Sequence, residues 1–120
     1  MATLQQLNNK VFSYNEDNKN QLHRAATKAL KVLAGKLDLP KGSFEVRSNK
    51  GGMAVSGEIT LHSDTLYVQV SESFSGQKLE ILYRTCKGRK DYSGGQNNYA
   101  SIDSLETQEF VDKLKKMAIQ

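Results

Sequence analysis

Residues 84–99 read Arg-Thr-Cys-Lys-Gly-Arg-Lys-Asp-Tyr-Ser-Gly-Gly-Gln-Asn-Asn-Tyr. Four cations (Arg84, Lys87, Arg89, Lys90) fall within seven residues. Gly88, Gly94, Gly95, Tyr92, Tyr99, Asn97 and Asn98 surround them. This mixture suits neither a helix nor a strand interior, but it suits a loop that holds phosphate oxygens and a flat base together. Arginine offers a planar fork that grips phosphate in two places, and lysine adds a mobile point charge. Gly88 lets backbone approach a ligand or take positive φ. Gly94 and Gly95 can expose successive N–H groups as an anion nest. Tyr92 and Tyr99 offer stacking faces, and Asn97 and Asn98 offer donor and acceptor edges. The order of a P-loop is absent. A solvated basic turn is the plain alternative, because Gly, Asn and Ser also dominate ordinary turns.

Other chemistry-bearing residues are isolated. His23 lies beside an apolar helical stripe and reads as a surface or satisfied histidine. His62 ends a strand without a Cys or His partner at metal spacing, so no metal is expected. Glu45, Glu58 and Asp64 form no definite carboxylate pair, and no nucleophile motif occurs. Arg47 and Lys50 flank a hairpin as polar-face residues or as an extension of the positive surface. The expectation is therefore a binding protein and not an enzyme, with no cofactor.

Charge and length bound the partners. The net charge is +4, and residues 84–91 carry four positive and one negative charge. A concentrated excess favours anionic partners, yet it is too small for wrapping a long duplex. At 120 residues the chain fits a single domain over 1–120. No apolar run reaches membrane-span length, and no secretory signal opens the sequence. The single cysteine, Cys86, excludes an internal disulfide framework and points to a reducing cytoplasm.

The elements that must position the loop follow from periodicity. Leu4, Leu7, Val11 and Phe12 are helically spaced after Thr3, a potential cap. A break over 14–20 precedes a helix from Asn18 or Asn20 to Lys36, with Leu22, Ala25, Ala26, Ala29, Leu30 and Leu33 as its apolar stripe. Beyond Pro40 the period becomes 2. Phe44 and Val46 begin one strand, and Asn49–Gly52 turns. Met53, Val55, Ile59 and Leu61 share one face of the next. After a turn at His62–Asp64, Leu66, Val68 and Val70 define the third. Phe74–Gln77 turns again before Leu79, Ile81 and Tyr83 define the fourth. Ile102 and Leu105 lead to a last helix, capped by Thr107, with Phe110, Val111, Leu114 and Met117 on one stripe. These elements predict an α+β fold: a four-stranded antiparallel meander with N-terminal and C-terminal helices on one face. Free sheet edges and small size favour a homo-oligomer.

The run from Leu66 to Asn98, with Leu-Tyr-Val-Gln-Val at 66–70 and Tyr-Arg-Thr-Cys-Lys-Gly-Arg-Lys-Asp-Tyr at 83–92, resembles small bacteriophage-encoded proteins. It is also similar to the anti-Thoeris sponge proteins, which sequester cyclic nucleotide immune signals. That resemblance covers the second half of the chain and transfers no residue role. It implies an oligomer in the host cytoplasm that binds a signalling nucleotide without cleaving it. The expected partner is thus a small phosphorylated nucleotide. A nucleic-acid-binding regulator using the same loop, or an inhibitor of an acidic host protein, are the alternatives, and no membrane partner is expected.

Overall fold

The computed structural model describes residues 4–8, 10–72, 78–88 and 96–118. Helix α1 (Leu4–Leu7) and helix α2 (Glu16–Lys36) precede five strands, β1 (Phe44–Asn49), β2 (Glu58–Ser63), β3 (Leu66–Glu72), β4 (Leu79–Thr85) and β5 (Asn98–Ser101). A 3-10 segment (Ile102–Glu106) leads into helix α3 (Gln108–Ala118). The strands form one antiparallel sheet in sequence order. Among the described residues, no helix is long and apolar enough to cross a membrane.

The expected α+β meander is present, with one more strand than the sequence suggested. Asn98 and Tyr99 are expected within the polar loop, but residues 98–101 pair with β4 from Tyr83↔Asn98 to Glu80↔Ser101. Four residues without apolar alternation carry little strand signal; pairing with an otherwise bare edge supplies it.

Alternation divides the sheet into two faces. Ile59, Leu61, Val68, Val70, Ile81 and Tyr83 point to the helices and are buried with Leu22, Leu30, Leu33, Phe110 and Leu114. Asn15 begins α2 earlier than the apolar stripe indicates: its side chain accepts from Asn18 N at 3.0 Å. Glu16 and Asp17 then fill the first turn, where negative charge meets the positive end of the helix dipole. Thr107 caps α3 as expected, its hydroxyl accepting from Phe110 N at 3.2 Å. Thr3, the other expected cap, lies outside the described residues.

Three apolar residues depart from the sequence expectation. Helix α1 stops at Leu7 and does not reach Phe12, because Asn8 turns its side chain to Leu79 N at 2.9 Å. Phe12 is buried, but Val11 is exposed. Met53 and Val55 are exposed as well, and belong to the connection between β1 and β2. That connection runs the length of residues 50–57 because α2 draws it in. Lys19 Nζ donates to Gly52 O at 2.7 Å, Tyr14 N to Met53 O at 2.7 Å, and His23 Nε2 to Ser56 O at 2.8 Å. Gly57 ends the excursion at φ +77°, where a Cβ would overlap the Asn49 carbonyl and approach Lys50 Cα to 2.8 Å.

His23 is the satisfied histidine anticipated from its position, though it is buried and not at the surface. A carbonyl can only accept, so Nε2 carries the proton toward Ser56 O, and Nδ1 accepts from Ser48 Oγ at 2.7 Å. Burial holds its pKa below the ordinary value of 6.5; the Ser56 bond opposes this, and Lys50 and Lys19 reinforce it. The unfolded chain therefore binds the His23 proton more tightly than the native one. Stability should be independent of this group above about pH 6.5 and should fall as pH drops below it. Urea midpoints between pH 7.5 and 5 should decline in the wild type and decline less in His23→Gln. Equal slopes would contradict this origin.

Candidate functional site

All three helices pack on one sheet face, so the other face carries the side chains available for chemistry. Its residues follow from register, since directly opposed residues share a face. Glu45, His62, Tyr67 and Arg84 form one transverse row across β1–β4. Arg47, Thr60, Gln69, Leu82 and Tyr99 form the next across all five strands.

The first row contains the unusual group. Arg84 is only 5% exposed, and its guanidinium carbon lies 4.4 Å from the centroid of the Tyr67 ring. The ring's negative π face attracts the cation. Arg84 Nη1 is nevertheless buried without a hydrogen-bond partner among the described residues. Among the described residues no carboxylate forms an ion pair with it. A buried donor left unmet costs about 1–3 kcal/mol, more when charged. Natural interiors normally pair such a group.

His62 is fully buried beside it, edge-on to Tyr67 at 5.1 Å between ring centroids. Its Nδ1 meets Arg47 Nη2 at 2.7 Å and its Nε2 meets Gly88 O at 2.9 Å. Guanidinium only donates and carbonyl only accepts, so these contacts define the neutral Nε2–H tautomer. His62 thereby ties β1 to the chain leaving β4. Arg47 is partly turned toward Glu45, 3.7 Å away. Along β3, Tyr67 Oη donates to Gln69 Oε1 at 2.8 Å, and Gln69 Nε2 donates to Ser71 Oγ at 3.3 Å.

The residues expected to bind are placed unevenly. Arg84 is held on the sheet, as its position at the end of a strand implied. Lys87 is exposed and Gly88 half-buried just beyond it. Gly88 has no positive φ, and a Cβ there would meet nothing within 4 Å, so the fold itself does not require glycine at this position. Arg89, Lys90, Tyr92, Gly94 and Gly95 lie outside the described residues. Asn97 is exposed. Asn98 turns to the helix side of β5, and its amide donates to Tyr83 O at 3.3 Å and Gln96 O at 3.1 Å. Tyr99 stands on the same face as Arg84, 59% exposed. His62 and Tyr67 were not singled out as binding residues, and Arg47 only in passing. Even positions in β2 and β4 and odd positions in β1 and β3 carry the signal, but it becomes legible only once the register aligns them.

No family model, curated protein or solved structure matches the chain.

Because Arg84 Nη1 has no partner among the described residues, the fold carries it at a cost. Arg84→Met keeps bulk and removes the charge at the loss of the Tyr67 contact. Its urea-derived stability should equal the wild type or exceed it by about 1 kcal/mol. A loss above about 2 kcal/mol would show that Arg84 is satisfied within the fold.

Proposed function

We propose that the chain is a non-catalytic binding protein that captures a small phosphorylated nucleotide on the helix-free sheet face, with Arg84 as its anion anchor. The observation that carries this reading is the buried Nη1 of Arg84, a charged donor without an acceptor among the described residues. A phosphate oxygen supplies the missing acceptor and the missing counter-charge together. Tyr67 beneath the guanidinium limits its motion, so little side-chain freedom remains to be lost on binding.

Capture without turnover is supported by His62. Both of its ring nitrogens are engaged, which leaves no free lone pair for proton abstraction. Sequestration of a signalling nucleotide in the host cytoplasm, which the sponge-protein resemblance implies, is part of this proposal. Among the alternatives, a nucleic-acid strand is disfavoured by the face itself. Glu45, Glu58 and Glu80 share it with Arg47, Arg84 and the groove-lining Lys78. A polyanion tracking across those strands would meet as many carboxylates as cations, whereas one phosphate at Arg84 meets none within ion-pair distance among the described residues.

Purified wild-type protein should release a phosphorylated nucleotide on denaturation, detected by mass spectrometry, and Arg84→Ala should release none. Arg84→Lys keeps the charge but loses the two-pronged grip, so calorimetry should show affinity reduced at least about tenfold. The salt dependence should be shallow, as for one or two phosphates. Unchanged affinity in Arg84→Ala would remove the anchor from this account.

A further inference from the structure

Next to Arg84 the helix-free face opens into a groove of about 980 Å³. Its floor is Leu82 and Gln69, Tyr99 stands at the β5 side, and Ser71, Glu80 and Ser101 close the far end. Leu82 and Glu80 follow Arg84 on the same face of β4, about 6.8 Å and about 13.6 Å along the strand. The groove therefore begins one row from the anion anchor and ends at the Glu80 carboxylate, with Glu72 and Lys78 also on its lining.

The lining separates three kinds of chemistry. Leu82 and the exposed Tyr99 ring make an apolar and aromatic platform suited to a flat heterocycle. Gln69 has both ends of its amide engaged, by Tyr67 Oη and Ser71 Oγ, so it stiffens the floor and adds no selectivity of its own. Glu80 has no hydrogen-bond or ion-pair partner among the described residues. An ionised carboxylate only accepts, and its two oxygens suit two parallel N–H donors.

Among the common bases, only guanine presents two adjacent donors, N1–H and the 2-amino group, along one edge. Adenine and cytosine set a ring-nitrogen acceptor beside their amino group, and uracil flanks its N–H with two carbonyls. Each of those would bring a lone pair against the carboxylate. We infer that the groove takes the base of a guanine nucleotide, with the ring on Tyr99 and Leu82 and its donor edge on Glu80, while Arg84 holds the phosphate. This assignment rests on the anion reading of Arg84 given above.

The test is a calorimetric comparison of guanosine, inosine and adenosine 5′-monophosphates and of inorganic pyrophosphate, with wild type, Glu80→Gln, Tyr99→Ala and Arg84→Ala. Inosine lacks only the 2-amino group. Guanosine monophosphate should bind at least about tenfold more tightly than either other nucleotide, the discrimination expected of one bidentate base contact. Glu80→Gln should erase most of that preference and leave pyrophosphate affinity unchanged. Tyr99→Ala should weaken every nucleotide by about tenfold without affecting pyrophosphate. If the nucleotides and pyrophosphate bind alike and depend on Arg84 alone, the base assignment is wrong and the anchor stands. If nothing binds to the wild type, both are wrong. Glu80 and Tyr99 lie outside the core, and unchanged urea midpoints will confirm that the variants are folded.

Discussion

A guanidinium held between an aromatic ring and the protein interior, with one donor unanswered, is the constraint around which this face is arranged. Burying a cation without a carboxylate costs desolvation that the Tyr67 ring offsets only in part. Arg84 is nevertheless seated against Tyr67, and Tyr67 is braced by His62 on one side and Gln69 on the other. On the proposed reading, these contacts pre-organise a donor for a ligand that arrives with its own charge.

The layering of the molecule makes this possible. Three helices cover one side of the sheet and bury Ile59, Leu61, Val68, Val70 and Ile81. The opposite side is free to carry polar rows, and antiparallel pairing lines those rows up across strands distant in sequence. Glu45 and Arg84 come into one row only because β1 to β4 are neighbours in order. The hydrogen bond from His62 to Gly88 O adds a tether between the second strand and the chain leaving the fourth. Charge is likewise arranged and not merely accumulated. Arg84 stands one row from the groove, and Glu80, Glu72 and Lys78 line it, a mixture of charges that suits a small ligand with unlike ends better than a long uniform anion.

Much of the architecture was legible in the sequence, for physical reasons. The stripe Leu22–Ala26–Leu30–Leu33 can be satisfied only by a helix against a core, and Val68–Val70 and Ile81–Tyr83 only by half-buried strands. The same rule misplaced Met53 and Val55, which share parity with Ile59 but belong to a connection with positive φ at Gly51 and Gly57 that is held to α2 by Lys19 and His23. Strand β5 was hidden because its stability comes from the edge it completes and not from its own side chains. Arg84 stood out as a strand-terminal cation. Its burial did not, nor did the part played by Tyr67 and His62, because alternation reports which face a residue takes and not how deeply that face is covered.

The central claim, that Arg84 is an unfilled anion anchor, is tested most directly by nuclear magnetic resonance of the arginine side chains during titration with pyrophosphate. The account predicts saturable shifts of the Arg84 Nε–H and Tyr67 ring signals, absent from Arg24 on the exposed side of α2. Shifts that stay linear with concentration, or that are shared equally by Arg24 and Arg84, would contradict it.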